Sequence, residues 1–215
     1  MKRCFTSLET KARVLSGTDL SDGAYFVLDE KDGEQVIKRV VWAGGTEPEL
    51  LVIGNDVRLT RPAADLLGSS AMEQLLSQAH FKRPHDGVTF GWHQDIQHRD
   101  KGNDTWSDLN GRGSFVQTLI AIDDMTPDSG PLQFIAGTGN IGAIGLDRHH
   151  YEATSEQLSD LPFDPSKAVT IDAKAGDVVF FGPYAIHASF ENTSSDYRRV
   201  FINGYAYPGA NKRQY

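Results

Sequence analysis

Cysteine is almost missing: Cys4 is the single one in 215 residues. An intrachain disulfide is therefore excluded, which fits a reducing compartment. No apolar run approaches the length of a membrane span. Lys2 and Arg3 open the chain without an apolar stretch behind them, so no signal peptide is expected and the expected location is cytoplasmic. Positive charge is also short, with 21 Lys and Arg against 29 Asp and Glu and a net charge of −8. That balance disfavours nucleic acid or an anionic membrane as partner and leaves room only for a local basic pocket. There is no internal repeat and no low-complexity segment.

What is present is an ordinary globular composition, 39% hydrophobic and 23% charged. The length suits a single domain over 1–215 with a sizeable core. Residues 1–20 are polar and weakly patterned, either an ordered arm or a loose tail. Residues 24–28 and 34–42 read as two strands joined by a hairpin turn at Glu30-Lys31-Asp32-Gly33. Asn55 or Asp56 can cap a helix presenting Leu59, Ala63, Leu66 and Leu67 on one face, with Gly68 as its stop. Pro62 argues that the regular part starts at Thr60. Residues 72–82 fit a helix or a strand equally well. From Gly113 onward short β-rich runs alternate with Gly, Pro and Asp turns, the pattern of a sandwich, barrel or jelly roll with a helical N-terminal portion packed outside it.

The chemistry-bearing residues are few. His93 and Asp95 stand two apart in Trp92-His93-Gln94-Asp95, so in an extended chain they share a face and Gln94 turns away. His187 follows 94 residues after His93, shares a face with Ser189 by the same rule, and precedes Arg198 by eleven residues. A lone His-x-Asp is ordinarily a surface or hydrogen-bonded pair, and an arginine before an apolar strand is ordinarily a solvated strand end. Together, two imidazoles and one carboxylate form the facial set that binds non-haem Fe(II) and leaves positions open for oxygen chemistry. An arginine fits a dicarboxylate co-substrate.

Four stretches carry a family resemblance. They are Trp92-His93-Gln94-Asp95, then Leu119 through Leu132 with its Asp-Asp-Met-Thr-Pro-x-x-Gly-Pro-Leu pattern, then Ala175 through Phe181, then His187 through Arg198. Over about residues 48–207 the chain resembles the phytanoyl-CoA dioxygenase family of Fe(II)/2-oxoglutarate oxygenases. The resemblance implies a mainly β, double-stranded β-helix (jelly-roll) fold with flanking helices, which favours the strand reading of 72–82. It also implies Fe(II), 2-oxoglutarate and O2 as cofactor and co-substrates, with a small molecule as primary substrate. His93, Asp95 and His187 resemble the iron ligands. Arg198 would pair with the C5 carboxylate of 2-oxoglutarate, although alternation alone does not choose it over Arg199. Ser189 matches a position that supports the same carboxylate, and Gln78 matches more loosely a further co-substrate contact. Trp92 is expected in the pocket wall or in ordinary core packing, and Gln117 is expected to face the cavity. The implied reaction hydroxylates an unactivated C–H bond while 2-oxoglutarate becomes succinate and CO2. Asp95 occupies the place that related halogenases leave for halide, which favours hydroxylation; desaturation and epoxidation stay open.

The chain also departs from the family pattern. Many members carry a longer helical region before the first strands, so the substrate pocket here is expected to be more open or completed by another subunit of a homo-oligomer. No CoA site is visible. His98, Arg99 and Lys101 either recognise an anionic substrate or form a solvated loop. Gly137-Thr138-Gly139-Asn140-Ile141-Gly142 matches a dinucleotide fingerprint literally, but no amphipathic helix follows, so a loop is expected. His149-His150 is read as surface. Asn103 and Asn192 match the glycosylation pattern by chance. The rival readings are a catalytically silent jelly roll and a cupin-type isomerase. A structural metal site has no use for Arg198, and the Gly-Pro-Leu stretch disfavours the cupin.

Overall fold

The structure is a computed structural model that describes residues 1–99, 104–146 and 161–213. Lys101, Asn103, His149 and His150 lie outside the described residues. Four helices come early: α1 (Lys2–Ala12), α2 (Ala43–Thr46), α3 (Pro48–Gly54) and α4 (Val57–Leu67). The strands are β1 (Asp19–Ser21), β2 (Ala24–Lys31), β3 (Glu34–Val41), β4 (Glu73–His80), β5 (Phe90–His93) and β6 (Phe115–Ala121). After these come β7 (Gln133–Ile135), β8 (Ala168–Thr170), β9 (Val178–Phe181), β10 (His187–Ser189) and β11 (Val200–Ala206). They form a seven-stranded sheet, β1-β2-β3-β4-β11-β6-β9, and a four-stranded sheet, β5-β10-β7-β8. The neighbouring strands run antiparallel. This is the jelly roll, with a cavity lined from both sheets and the helices on the outer face of the larger one.

The hairpin forms as the turn chemistry predicts, with Asp32 and Gly33 both at positive φ between β2 and β3. Segment 72–82 resolves as strand because β4 hydrogen-bonds to β11 on one side and β3 on the other. One open reading closes and one expectation needs correction. The N-terminal arm is a helix: Cys4, Phe5, Leu8 and Ala12 recur at helical spacing and are buried against the sheet, Phe5 lying 5.0 Å from the Phe81 ring. With four apolar positions among polar neighbours, that stripe is narrow enough to be read past. The correction concerns α4, which starts at Val57 rather than Thr60 and carries Pro62 inside it. The Asp56 side chain accepts from the Arg58 N–H and fixes the start, while Gly68 in the left-handed region ends the helix.

The main core lies between these helices and the sheet. Phe26, Val40, Ala79, Ile120, Phe201 and Tyr205 face Phe5, Leu8, Leu59 and Ala63. Each fully buried Phe or Leu there contributes about 1.5–3 kcal/mol. This packing leaves the opposite face of the sheet free to line the cavity.

Candidate active site

His93 ends β5 and His187 begins β10, and the two are directly paired across these antiparallel strands. The rings lie 4.1 Å apart, centre to centre. Gln94 is still extended, so the alternation carries past the end of β5 and returns Asp95 to the face of His93. Asp95 Oδ1 lies 3.6 Å from His93 Nε2, and its Oδ2 lies 3.5 Å from His187 Nε2. One ligand atom from each of the three residues falls within 4.8 Å of the others.

The chemistry of this donor set fits a metal ion. His93 Nδ1 is 2.7 Å from the Gly91 carbonyl oxygen and His187 Nδ1 is 2.8 Å from that of Ala185. Each carbonyl accepts from Nδ1 and so turns Nε2 toward Asp95, the outer-shell arrangement of metal-binding histidines. Burial, then His93, pushes the His187 imidazole down to about 4, so it is neutral and competent as a ligand near neutral pH. Burial pushes the Asp95 carboxyl up, but His187 and His93 outweigh it and hold the group well below the usual carboxylate range. The Gln117 amide donates to Asp95 Oδ2 and fixes the carboxylate's rotation.

Gln94 faces away and is fully buried. Its Nε2 donates to Gly142 O at 2.8 Å and Tyr184 O at 2.7 Å, and its Oε1 accepts from Ile144 N at 2.9 Å. Alternation predicts its direction but gives no hint that it ties together two loops beside the site.

The cavity is about 430 Å3. Arg198 reaches it from before β11 and is 3% exposed. Its NH2 donates to Gly130 O at 2.6 Å and to Ser189 Oγ. Burial lowers its guanidinium to about 10, which leaves it charged at neutral pH. Arg199 turns the other way into a two-point pair with Asp123, at 2.8 Å and 3.0 Å. Neighbouring side chains point to opposite sides, and the partner of each identifies which arginine faces the cavity.

Lys82 was missed by sequence reasoning, and nothing around it in the sequence signals its position. It is fully buried behind Ser189, donating to Ser189 O at 2.8 Å and Ser189 Oγ at 2.6 Å. Burial and then Arg198 push its ammonium well below the usual lysine range. His80, also missed, lines the cavity beside Gln78, whose Oε1 is 3.0 Å from His80 Nε2.

The Gly-Pro-Leu stretch now has a physical role. Gly130 O accepts from both Arg198 and Ser189, the latter at 2.9 Å. Gly130 has φ +68°, and a Cβ there would fall onto the carbonyl oxygen of Phe190. Gly130→Ala should therefore cost about 1–3 kcal/mol of stability. Urea unfolding measures it, and an unchanged midpoint would show that the turn yields freely.

Gln78, Gln117, Ser189, His98 and Arg99 all line the cavity. Trp92 does not, so its placement in the pocket wall is corrected. It is 1% exposed and packs edge-on against Phe163 and Phe190, in the core on the far side of β5. Period-two alternation already requires this, since Trp92 and His93 are adjacent. The glycine-rich segment makes a short 3-10 turn, Thr138–Asn140, and no helix follows it among residues 141–146. Asn192 is fully buried, with its amide donating to Lys82 O and Asp196 O, so its glycosylation match is fortuitous. No helix among the described residues is long and apolar enough to cross a membrane.

The chain is 30% identical over 146 residues to the L-proline trans-4-hydroxylase of Streptomyces griseoviridis, covering 60% of this chain and 52% of that protein. It is 27% identical over 176 residues to the ectoine dioxygenase of Bordetella bronchiseptica, covering 75% and 54%. The chain thus spans about half the length of these two relatives. In fold it is similar to EctD from S. alaskensis, solved with 2-oxoglutarate and 5-hydroxyectoine, with a TM-score of 0.71 at 19% identity over 97% of this chain and 67% of that one. The family described as phytanoyl-CoA dioxygenase (PhyH) matches residues 21–200, and the chain belongs to that family.

Proposed function

We propose that this protein, as one jelly-roll domain over 1–215, is an Fe(II)/2-oxoglutarate-dependent dioxygenase that hydroxylates a small molecule. The observation that carries the reading is the convergence of His93, Asp95 and His187 on one point of a cavity that also holds the buried cation Arg198. His93, Asp95 and His187 would hold the iron. Bound iron with 2-oxoglutarate and O2 would supply the oxidising power, 2-oxoglutarate leaving as succinate and CO2.

The chain's own contribution is positioning and exclusion of water. Arg198, preset by Gly130 and Ser189, would bind the C5 carboxylate of 2-oxoglutarate, with the Ser189 hydroxyl beside it. Gln78 would offer the co-substrate its amide. Gln117 would keep Asp95 in one rotamer. Leu119, Leu132, Phe181 and Ile202 form an apolar part of the cavity wall and limit water around the reacting carbon. The cavity is toward the small end of the roughly 300–1,000 Å3 typical of ligand sites, and it must take 2-oxoglutarate as well, so the primary substrate is small. The single cysteine supports a cytoplasmic setting.

The test is the visible spectrum of anaerobic protein with Fe(II), before and after 2-oxoglutarate. A broad charge-transfer band that needs both additions is the expected result. Folded, iron-loaded protein with no band would move the reading to a silent jelly roll.

A further inference from the structure

The cavity is strongly basic in an acidic protein. Among the described residues lining it are four arginines, Arg39, Arg99, Arg198 and Arg213, and one carboxylate, Asp95. The whole chain carries −8. Adding a divalent cation and dianionic 2-oxoglutarate does not remove this positive excess. Two of the arginines have structural tasks: Arg198 is pinned to Gly130 and Ser189, and Arg213 donates to the carbonyls of His98 and Arg99 at 2.9 Å and 3.3 Å. Arg99 lies over the Phe115 ring.

What sets Arg39 apart is that no hydrogen bond or ion pair among the described residues engages its guanidinium; its Nε, like that of Arg198, is shut off from solvent without an acceptor. A buried donor in this state is costly unless a ligand supplies the acceptor.

Its position is built by a defect in β3. Val27 pairs with Arg39 and Leu28 pairs with Ile37, so two residues of β2 are matched by three of β3, and Lys38 is the extra one. Val40 and Ile37 both pack on the outer core. Without the bulge, strict alternation from Ile37 would send Arg39 outward into the helices. With it, Arg39 turns into the cavity, and its charge follows burial as the main influence keeping His80 neutral. Bulges beside active sites re-aim side chains in this way.

We propose that Arg39 is the anchor for a carboxylate on the primary substrate, so that the substrate class is small carboxylic acids, amino acids included. This rests on the dioxygenase reading. The carboxylate would fill the acceptor position that Nε lacks, and the fork of the guanidinium would orient the acid while the rest of the molecule lies over the metal triad.

The test uses anaerobic protein loaded with Fe(II) and 2-oxoglutarate, titrated with L-proline, ectoine and a set of small carboxylic acids, each beside its neutral amide. Binding is read by calorimetry and by the shift of the visible band. At least one acid should bind at least tenfold tighter than its amide. Arg39→Gln should weaken that acid about ten- to a hundredfold and leave the amide unchanged, and Arg39→Lys should recover part of the loss. Absence of the band in wild-type protein defeats the dioxygenase reading itself. With the band present, equal binding of acids and amides, no binding by any acid, or full affinity in Arg39→Gln overturns the anchor.

Discussion

Replacing His187 with alanine should reduce Fe(II) affinity by at least about a hundredfold and abolish 2-oxoglutarate turnover, in a protein that still folds. The scale follows from metal sites in general, where loss of a mere outer-shell partner already costs about ten- to a hundredfold. His187 is more than such a partner. It is 5% exposed, its Nδ1 proton is held by Ala185 O, and its Nε2 faces Asp95. The ring also packs 5.1 Å from Phe181 and 5.5 Å from Phe134, so alanine leaves a gap in that wall. His187→Gln, which fills more of the gap, separates packing from ligation. Anaerobic equilibrium dialysis gives the iron affinity, succinate release the turnover, and the thermal midpoint the folding. Full iron binding in either variant would remove His187 from the ligand set.

Arg198→Ala has a different expected signature. Iron affinity stays, while 2-oxoglutarate affinity falls by about 2–4 kcal/mol, roughly thirty- to several-hundredfold. Arg198 is 3% exposed, so its attraction for a carboxylate is little screened by water. Lys82 stays behind Ser189 in the variant and still donates to its hydroxyl. Arg198→Lys should recover only part of the loss, because an ammonium replaces the charge without the planar fork. Titrating 2-oxoglutarate into the iron-loaded protein measures all three forms. Equal co-substrate affinity in wild type and Arg198→Ala would overturn the anchor role.

Much of this was legible locally. Asp32-Gly33 specifies a tight hairpin because both residues tolerate positive φ. Asp56 and Gly68 bracket α4 because one side chain caps N–H groups and the other residue accepts a left-handed backbone. His93 and Asp95 on one face, with Gln94 and Trp92 on the other, follow from a period of two. The same rule, applied one residue earlier, would have placed Trp92 in the core.

The sequence by itself therefore determined the mainly β class, the local aim of each candidate ligand and the absence of an intrachain disulfide, since backbone sterics and composition act over a few residues. The tertiary structure alone decided the rest. It made His93 and His187 partners on adjacent strands, and it turned 72–82 into a strand by seating it between β3 and β11. It separated Arg198 from Arg199 by giving the latter Asp123. It buried Lys82, and it set the bulge at Lys38 that brings Arg39 inward. In each case the deciding interaction joins residues that are distant in the chain or lie on another strand, and local periodicity carries no information about the partner.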